Sequence, residues 1–314
     1  AKADGLQNPA QPVCAEKGTR MPRQAVKNWA FAIHGGAGPI RGADYAPAEA
    51  HMRQIMTQAA KALDAGASAL DVITDLVRAL EDSGHHVAGR GAGPNLAGGY
   101  ELDASIMDGA SRRAGAVACL QGFRSPVDVA RGVMERTPHV MLAGAGADVF
   151  AFSEGFERIE DPAAYYRPAI TRPIVKGSLA HGTVGAVAKD RQGRLAAATS
   201  TGGVLNKMPG RVGDTPLIGA GCWADERVAV SCTGQGEYFI RAAVAADVSA
   251  RVRYGGTDFR EAAIGALDDM KAQGGDGGLI AVDARGELAA PFVSEGMKRG
   301  LADSSGLFDV LTFR

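Results

Sequence analysis

Residues 181–201 read "HGTVGAVAKDRQGRLAAATST". Two runs of apolar and small residues flank a turn that ends in glycine, the pattern of a β-hairpin. With Arg191-Gln192-Gly193 as a three-residue turn, Thr183 at the mouth of the first strand faces Thr201 at the end of the second. A bulge at Gly193 would shift the pairing by one residue. Two hydroxyls then meet at one end of the hairpin. Cross-strand threonine pairs also occur in ordinary sheets, so the surrounding residues must decide what this pair is for.

The unit returns further on: "GAVAKDRQGRLAAA" (185–198) resembles "GLIAVDARGELAAP" (278–291). Between the copies, residues 236–252 predict one helix with an apolar face at Phe239, Ala243, Ala246 and Ala250, and residues 258–275 predict a second ended by glycine. Upstream, "WAFAIHGGAG" (29–38) is a strand running into a glycine turn. Met52, Ile55, Met56, Ala59, Ala60 and Leu63 mark a helix, and Leu70, Val72, Ile73, Leu76, Val77 and Leu80 a second. A glycine-rich loop from Gly84 leads into strands near 101–107 and 113–120. "SPVDVARGVMERT" (125–137) opens with a serine cap and a first-turn proline. "HVMLAG" (139–144) is a strand, 145–154 a further helix, and 155–180 an exposed linker. Strands group with strands and helices with helices, which favours a layered α+β fold over strict βαβ alternation.

Composition sets the outer bounds. The chain has 314 residues, 46% hydrophobic and 22% charged, with a formal net charge of −1. These values are ordinary for a globular protein and give no basis for nucleic acid or an anionic membrane surface as a partner. No apolar run approaches the roughly 20 residues of a membrane helix. Cys14, Cys119, Cys222 and Cys232 form no CxxC pair and read as buried free thiols. Residues 1–28 are polar and aperiodic, a leader or flexible extension, which leaves 29–314 as a single domain. A chain that starts at Ala1 with such a leader favours a periplasmic or secreted location, with the cytoplasm as the alternative.

The segment after Thr201 carries more chemistry. Arg211 and Asp214 lie three residues apart in a loop held by Gly210, Gly213 and Pro216. An arginine fork matches a carboxylate and an aspartate accepts from an ammonium, so together they suit the zwitterionic head of an amino acid. A plain surface ion pair would use the same residues. In "SCTGQGEYF", Thr233-Gly234-Gln235-Gly236 forms a turn at a helix N-terminus, an oxyanion hole or a simple cap. A threonine hydroxyl needs a base, and its own α-amine serves if threonine is the first residue of a chain. That amine has a pKa of about 7.7–8.0. Cleavage of Gly182–Thr183 would create it, by attack of the Thr183 hydroxyl on the Gly182 carbonyl and hydrolysis of the resulting ester. Glycine leaves that carbonyl unshielded and tolerates strained dihedrals.

These stretches, with "AIHGGAG", "ELDASIMDG", "NKMPGRVGD", "GAGCWAD" and "PFVSEGM", closely resemble the plant-type L-asparaginase/isoaspartyl peptidase family of N-terminal-nucleophile hydrolases over nearly all of residues 30–300. The resemblance implies a four-layer αββα sandwich and self-cleavage into an α subunit 1–182 and a β subunit 183–314. It also implies an (αβ)2 assembly and hydrolysis of β-aspartyl dipeptides and of L-asparagine. By motif, Thr183 is the nucleophile and Thr201 its hydroxyl partner. Arg211 grips the substrate α-carboxylate and Asp214 the α-ammonium, and Thr233 and Gly234 form the oxyanion hole, with Gly236 beside them. A structural sodium, the one implied ion, maps to Leu80, Glu81, Ser83, His86, Ala88 and Arg90; catalysis needs no cofactor. The chain departs from the family at Val87, where members usually carry an asparagine that helps hold the ammonium. His85 and His86 are neighbours on an extended chain and point opposite ways, which argues against a catalytic metal.

Three other readings use the same residues. A glycosylasparaginase would cleave the same amide bearing a sugar, but that branch tends to have aspartate where this chain has Gly182. An amino-acid-binding protein would use Arg211 and Asp214 without turnover. A dinucleotide-binding module would need "GRGAGPNLAGG" to follow a strand with a different glycine spacing.

Overall fold

The computed structural model describes residues 26–169 and 182–314. In chain order the elements are β1 (Ala30–Ala37), α1 (Ala46–Asp64), α2 (Ala69–Asp82), a 3-10 turn (Gly89–Gly91), β2 (Leu102–Asp108), β3 (Ala114–Leu120), α3 (Pro126–Arg136), β4 (Met141–Ala143), α4 (Ala145–Ser153) and α5 (Pro162–Tyr165). After residue 182 come β5 (Val184–Lys189), β6 (Leu195–Thr201), β7 (Cys222–Ala224), β8 (Val228–Gly234), α6 (Gly236–Ala242), α7 (Val244–Arg253), α8 (Phe259–Ala272), β9 (Gly277–Asp283), β10 (Leu288–Ala289), β11 (Met297–Asp303) and β12 (Phe308–Leu311). This is an α+β fold. One sheet has the order β12-β11-β1-β5-β6-β2-β3-β4 and the other β10-β9-β8-β7.

The small alternating residues of the strands explain how these sheets are covered. Along β1, Phe31 and Ile33 face one way and Ala30 and Ala32 the other, as the two-residue period requires. Phe31 and Ile33 join Ile106, Val184 and Ala186 beneath Met52, Met56, Leu63, Ile73, Leu76 and Leu80 of α1 and α2 and Val127 and Val133 of α3. Ala30, Ala32, Val187 and Ala197 instead meet Cys222, Ala224, Ala229, Ile280 and Val282 of the smaller sheet. The far face of that sheet, through Val230, Cys232 and Leu279, packs on Phe239, Val244, Val248, Phe259 and Leu267 of α6–α8. Strands buried on both faces read as near-continuous apolar runs, which is why "LAAATST" has no polar face.

The two similar sequence units do form the same turn. Asp190 and Asp283 each close it through one carboxylate oxygen, which accepts the N–H groups of Gln192 and Arg194 in the first and of Arg285 and Glu287 in the second. Gly193 and Gly286 supply the positive φ that each turn needs.

Four expectations need correction. The helix over 236–252 is broken at Ala243, which has φ +47° and is exposed. The break lets the Ala245 and Ala246 N–H groups at the start of α7 reach the Ala220 and Gly219 carbonyls, at 3.2 and 2.8 Å. The buried set of α7 is therefore Val244, Ala245, Val248 and Ser249. Ser125 does not cap α3 with its own side chain. Its hydroxyl donates to Glu81 Oε2 at 2.7 Å, and Glu81 Oε1 accepts the Val127 N–H at 3.1 Å. A carboxyl from α2 thus satisfies the start of α3, and burial pushes that carboxyl up to about 8. The linker is not exposed throughout: α5 lies within it, and Tyr166 is buried with its ring stacked 3.8 Å from that of Tyr100. Residues 170–180 of that expectation lie outside the described residues. The domain also begins before residue 29, because the Lys27 ammonium pairs with Asp303 and the Lys27 carbonyl accepts from Lys189. Most of the leader, and Cys14 with it, lies outside the described residues; Cys119, Cys222 and Cys232 are free thiols.

Candidate active site

The central hairpin pairs Val184 with Ser200 and Gly185 with Thr199, through to Lys189 with Leu195. One more residue of that register sets Thr183 opposite Thr201, with no shift at Gly193. The Thr183 hydroxyl donates to Thr201 Oγ1 at 3.2 Å. Thr201 Oγ1 accepts the Gly203 N–H at 3.0 Å and donates onward to the Val87 carbonyl at 3.4 Å. Thr183 is 6% exposed and Thr201 3%, so both hydroxyls sit where their hydrogen bonds are shielded from water.

A small cleft opens over this pair, lined by Gly182, Thr183, Thr201, Arg211, Asp214, Gly234 and their neighbours. Arg211 and Asp214 do not form the surface pair that their spacing allows. Arg211 Nε and Nη2 instead hold both oxygens of Glu237, at 3.0 and 2.9 Å, in a two-pronged contact. Asp214 is buried, and its Oδ2 has no hydrogen-bond partner among the described residues. Burial pushes its carboxyl up to about 7, against the opposing pull of its own N–H and of Arg211. A buried carboxyl oxygen without a partner is costly, and Asp214 carries one at the wall of the cleft.

Thr233 and Gly236 fall outside the cleft lining. Thr233 Oγ1 accepts the Ala37 N–H at 3.1 Å, which joins the end of β8 to the glycine turn after β1. Gly236 backs onto Asp214, where a Cβ would come within 2.9 Å of Oδ1. The predicted turn at a helix start is thus the end of β8 followed by Gln235 as the residue before α6.

The carried-over sodium residues gather between α2 and the 3-10 turn. The glycine-rich stretch here follows a helix, not the strand that a dinucleotide motif requires. The side chains of Glu81 and His86 are already committed: Glu81 to the start of α3, and His86 Nδ1 to the Gly35 carbonyl at 3.0 Å. Ser83 Oγ donates to the Leu80 carbonyl at 2.8 Å, the Ala88 carbonyl accepts the Gly91 N–H, and the Arg90 carbonyl accepts the Arg167 N–H. A Cβ at Gly89 would stand 2.6 Å from the Glu81 carbonyl oxygen, and one at Gly91 would stand 3.1 Å from that of Gly84. Main-chain carbonyls therefore crowd this turn, a donor set suited to a hard cation. His85 is exposed where His86 is buried.

Sequence reasoning missed Glu237 and His34. Glu237 lies 26 positions from Arg211, too far for any spacing to suggest the contact. His34 was visible in "AIHGGAG", but nothing local showed that its imidazole reaches Thr183.

Paired threonine hydroxyls, a guanidinium held by Glu237 and a buried carboxyl with one unpartnered oxygen are set together at one cleft, and this defines a class: a shielded hydroxyl site flanked by a guanidinium and a carboxyl. The chain belongs to the asparaginase family, whose model, described as "Asparaginase", matches residues 27–172 and 164–312. An isoaspartyl peptidase of Salmonella typhimurium is 48% identical over 293 residues, covering 86% of this chain and 93% of its own. A plant-type L-asparaginase of Pyrococcus abyssi is 39% identical, with 85% and 97% covered. A probable isoaspartyl peptidase/L-asparaginase of Arabidopsis thaliana is 38% identical, with 90% and 98% covered.

Proposed function

We propose that this chain is a self-processing threonine hydrolase that cleaves β-aspartyl dipeptides and L-asparagine at the side-chain amide. The observation that carries the reading is the 3.2 Å contact between the Thr183 and Thr201 hydroxyls directly after Gly182. In the first step Thr183 Oγ1 attacks the Gly182 carbonyl carbon, and its proton is relayed by way of the Thr201 hydroxyl to the departing Thr183 nitrogen, which becomes the free α-amine. The Gly182–Thr183 C–N bond breaks, and water hydrolyses the ester left behind. The new Thr183 α-amine then takes the hydroxyl proton as Oγ1 attacks the substrate's side-chain carbonyl, and returns it to the departing amine. Water releases aspartate from the acyl-enzyme. Thr233 and Gly234 stabilise the oxyanion. Arg211 holds the α-carboxylate and Asp214 the α-ammonium. Val87 has no polar side chain to share that ammonium, so Asp214 carries more of it than the family asparagine would require.

The two covered sheets support a four-layer αββα sandwich. The carbonyl-lined turn supports a structural sodium held by the main chain around Glu81, Gly84 and His86, with no role in the steps above. Exposed Val140, Val149 and Phe152 near the β4 edge support burial of that end in an (αβ)2 assembly. No helix among the described residues is long and apolar enough to cross a membrane; a periplasmic or secreted location remains part of this proposal.

The test is mass spectrometry of purified protein alongside turnover of β-Asp-Xaa dipeptides, asparagine and glycosylasparagine. Two fragments that meet at Gly182/Thr183, with β-aspartyl turnover, support the reading. A whole chain that turns over these substrates rejects it. Arg211→Ala raises KM for substrates with a free α-carboxylate by about 10- to 100-fold, the value of a charged hydrogen bond or two, with a smaller change in kcat. An unchanged KM removes Arg211 from carboxylate binding.

Asp214 gives a pH dependence. Its carboxyl lies near 7, so it is neutral below that pH and cannot balance an ammonium. Above it the carboxylate forms and binding strengthens, so kcat/KM rises as pH increases from 6 to 8. In Asp214→Asn that part of the acid limb flattens at a lower kcat/KM. A limb of unchanged shape in the variant assigns the titration to another group.

A further inference from the structure

A buried polar row crosses three strands of the large sheet. His34 on β1 is paired with Gly185 on β5, and Gly185 with Thr199 on β6. Ser231 of β8 reaches into this row from the other sheet. His34 Nε2 lies 2.9 Å from Ser231 Oγ, and Ser231 Oγ lies 2.7 Å from Thr199 Oγ1. Gly185 makes the room: a Cβ there would stand 2.5 Å from His34 Nε2 and still closer to Ser231 Oγ. This accounts for the glycine in "GTVGAV" on physical grounds separate from any need for flexibility.

The other imidazole nitrogen reaches the site. His34 Nδ1 lies 3.1 Å from the carbonyl oxygen of Thr183. The pairing between β1 and β5 ends at His34 and Gly185, and the register of β1 against β11 shifts directly beyond His34. Gly36, which would stand opposite Thr183, has φ +104°, and the next N–H, that of Ala37, goes to Thr233. The sheet lets go of Thr183 on this side, and the imidazole takes over.

The protons can be assigned from the partners. A carbonyl only accepts, so Nδ1 carries the hydrogen towards Thr183. Nε2 then offers a lone pair to the Ser231 hydroxyl, whose oxygen in turn receives the Thr199 proton. Thr199 shares that proton with the Gly221 carbonyl, to which its hydroxyl donates at 3.0 Å. Burial holds the imidazole far below its ordinary value, at about 3, so it stays neutral through the working range and this tautomer persists.

We infer that His34 is a positioning residue for the Thr183 nucleophile: through Nδ1–H it fixes the Thr183 carbonyl, and with it the backbone torsion that aims Oγ1 first at Gly182 and then, after scission, at substrate. The inference rests on the reading of Thr183 as nucleophile. It makes Ser231 and Thr199 the support that holds the imidazole in the donating tautomer.

Asparagine and glutamine separate this role from simple packing, because the asparagine amide occupies the place of Nδ1 and the glutamine amide that of Nε2. His34→Asn retains a donor for Thr183 and loses the Ser231 contact; His34→Gln does the reverse. The readouts are the rate at which whole chain converts to the 1–182 and 183–314 fragments, and kcat and KM of processed enzyme. His34→Asn is expected within about 5-fold of the parent in both rates. His34→Gln is expected to lose about 100-fold in each, the scale of a displaced reacting group, with KM changed less than about 3-fold. The opposite ranking, or equal behaviour of the two variants, overturns the inference and leaves His34 as a tie between the sheets. Thr183→Ala is run beside them: if that variant is still processed, the nucleophile reading has failed, whereas an inert Thr183→Ala with the wrong ranking sinks the His34 role alone.

Discussion

Thr183→Ala yields a chain that stays whole at 32.3 kDa and loses β-aspartyl turnover by about 10⁴-fold or more. The size follows from two losses at one atom. Without Oγ1 nothing attacks Gly182, so no α-amine is released; and even with a free amine there would be no oxygen to acylate. Residual turnover would come from the oxyanion donors and substrate binding alone. The fold should be nearly unaffected. Thr201 Oγ1 keeps the Gly203 N–H and the Val87 carbonyl when Thr183 Oγ1 is removed, so no buried group is orphaned, and the cost is about 1 kcal/mol. Thermal melting therefore serves as the control. Thr183→Ser, which keeps the hydroxyl, recovers both scission and turnover in part. Normal scission of Thr183→Ala, read by intact-mass spectrometry, would take the residue out of the mechanism.

How much of this was legible in the sequence depends on how local each cause is. The hairpin could be read to the residue because its turn is closed by contacts within five positions, Asp190 to Arg194. The same locality holds for α1, α2 and α8, whose apolar period is uninterrupted. The break at Ala243 was not legible, because its cause is a pair of carbonyls at 219 and 220 that only the fold brings to the start of α7. The cap on α3 misled for the same reason: a serine before a proline looks sufficient, and the acceptor that takes the Val127 N–H is on another helix, 46 positions away. In the candidate site, motif and spacing named candidate residues but not their partners. Arg211 and Asp214 were read as one zwitterion grip, yet only the fold reveals that Glu237 occupies part of the guanidinium while the Asp214 carboxyl is left with an unsatisfied oxygen. Thr233 was read as a bare oxyanion donor, and its oxygen also anchors the turn after β1.

Gly182→Ala stops processing although the nucleophile is intact, with scission slowed by about 100-fold or more, the cost of a misplacement near 1 Å at a reacting centre. The cause is steric and has a named partner. A Cβ at residue 182 would stand 2.6 Å from Val87 Cβ and 3.1 Å from the Val87 main-chain nitrogen, with a Val87 methyl closer still. On the other side a side chain at Gly36 would meet Gly182 Cα at 2.8 Å, so the scissile glycine is held between two walls and cannot shift away. The added methyl must therefore rotate the Gly182 carbonyl relative to Thr183 Oγ1. If Val87 is the wall, trimming it restores the reaction in steps. Val87→Ala removes the nearest methyl but leaves its own Cβ, so the double variant with Gly182→Ala recovers only in part. Val87→Gly removes both, and its double variant recovers most of the rate, less a stability loss of about 1–3 kcal/mol for the buried side chain and the more flexible backbone. The order is read from the time course of fragment appearance on a denaturing gel at a temperature below every variant's melting point. Equal failure of both double variants would shift the blame from Val87 to the backbone of residue 182 itself, and unimpaired scission of Gly182→Ala would show that the walls yield.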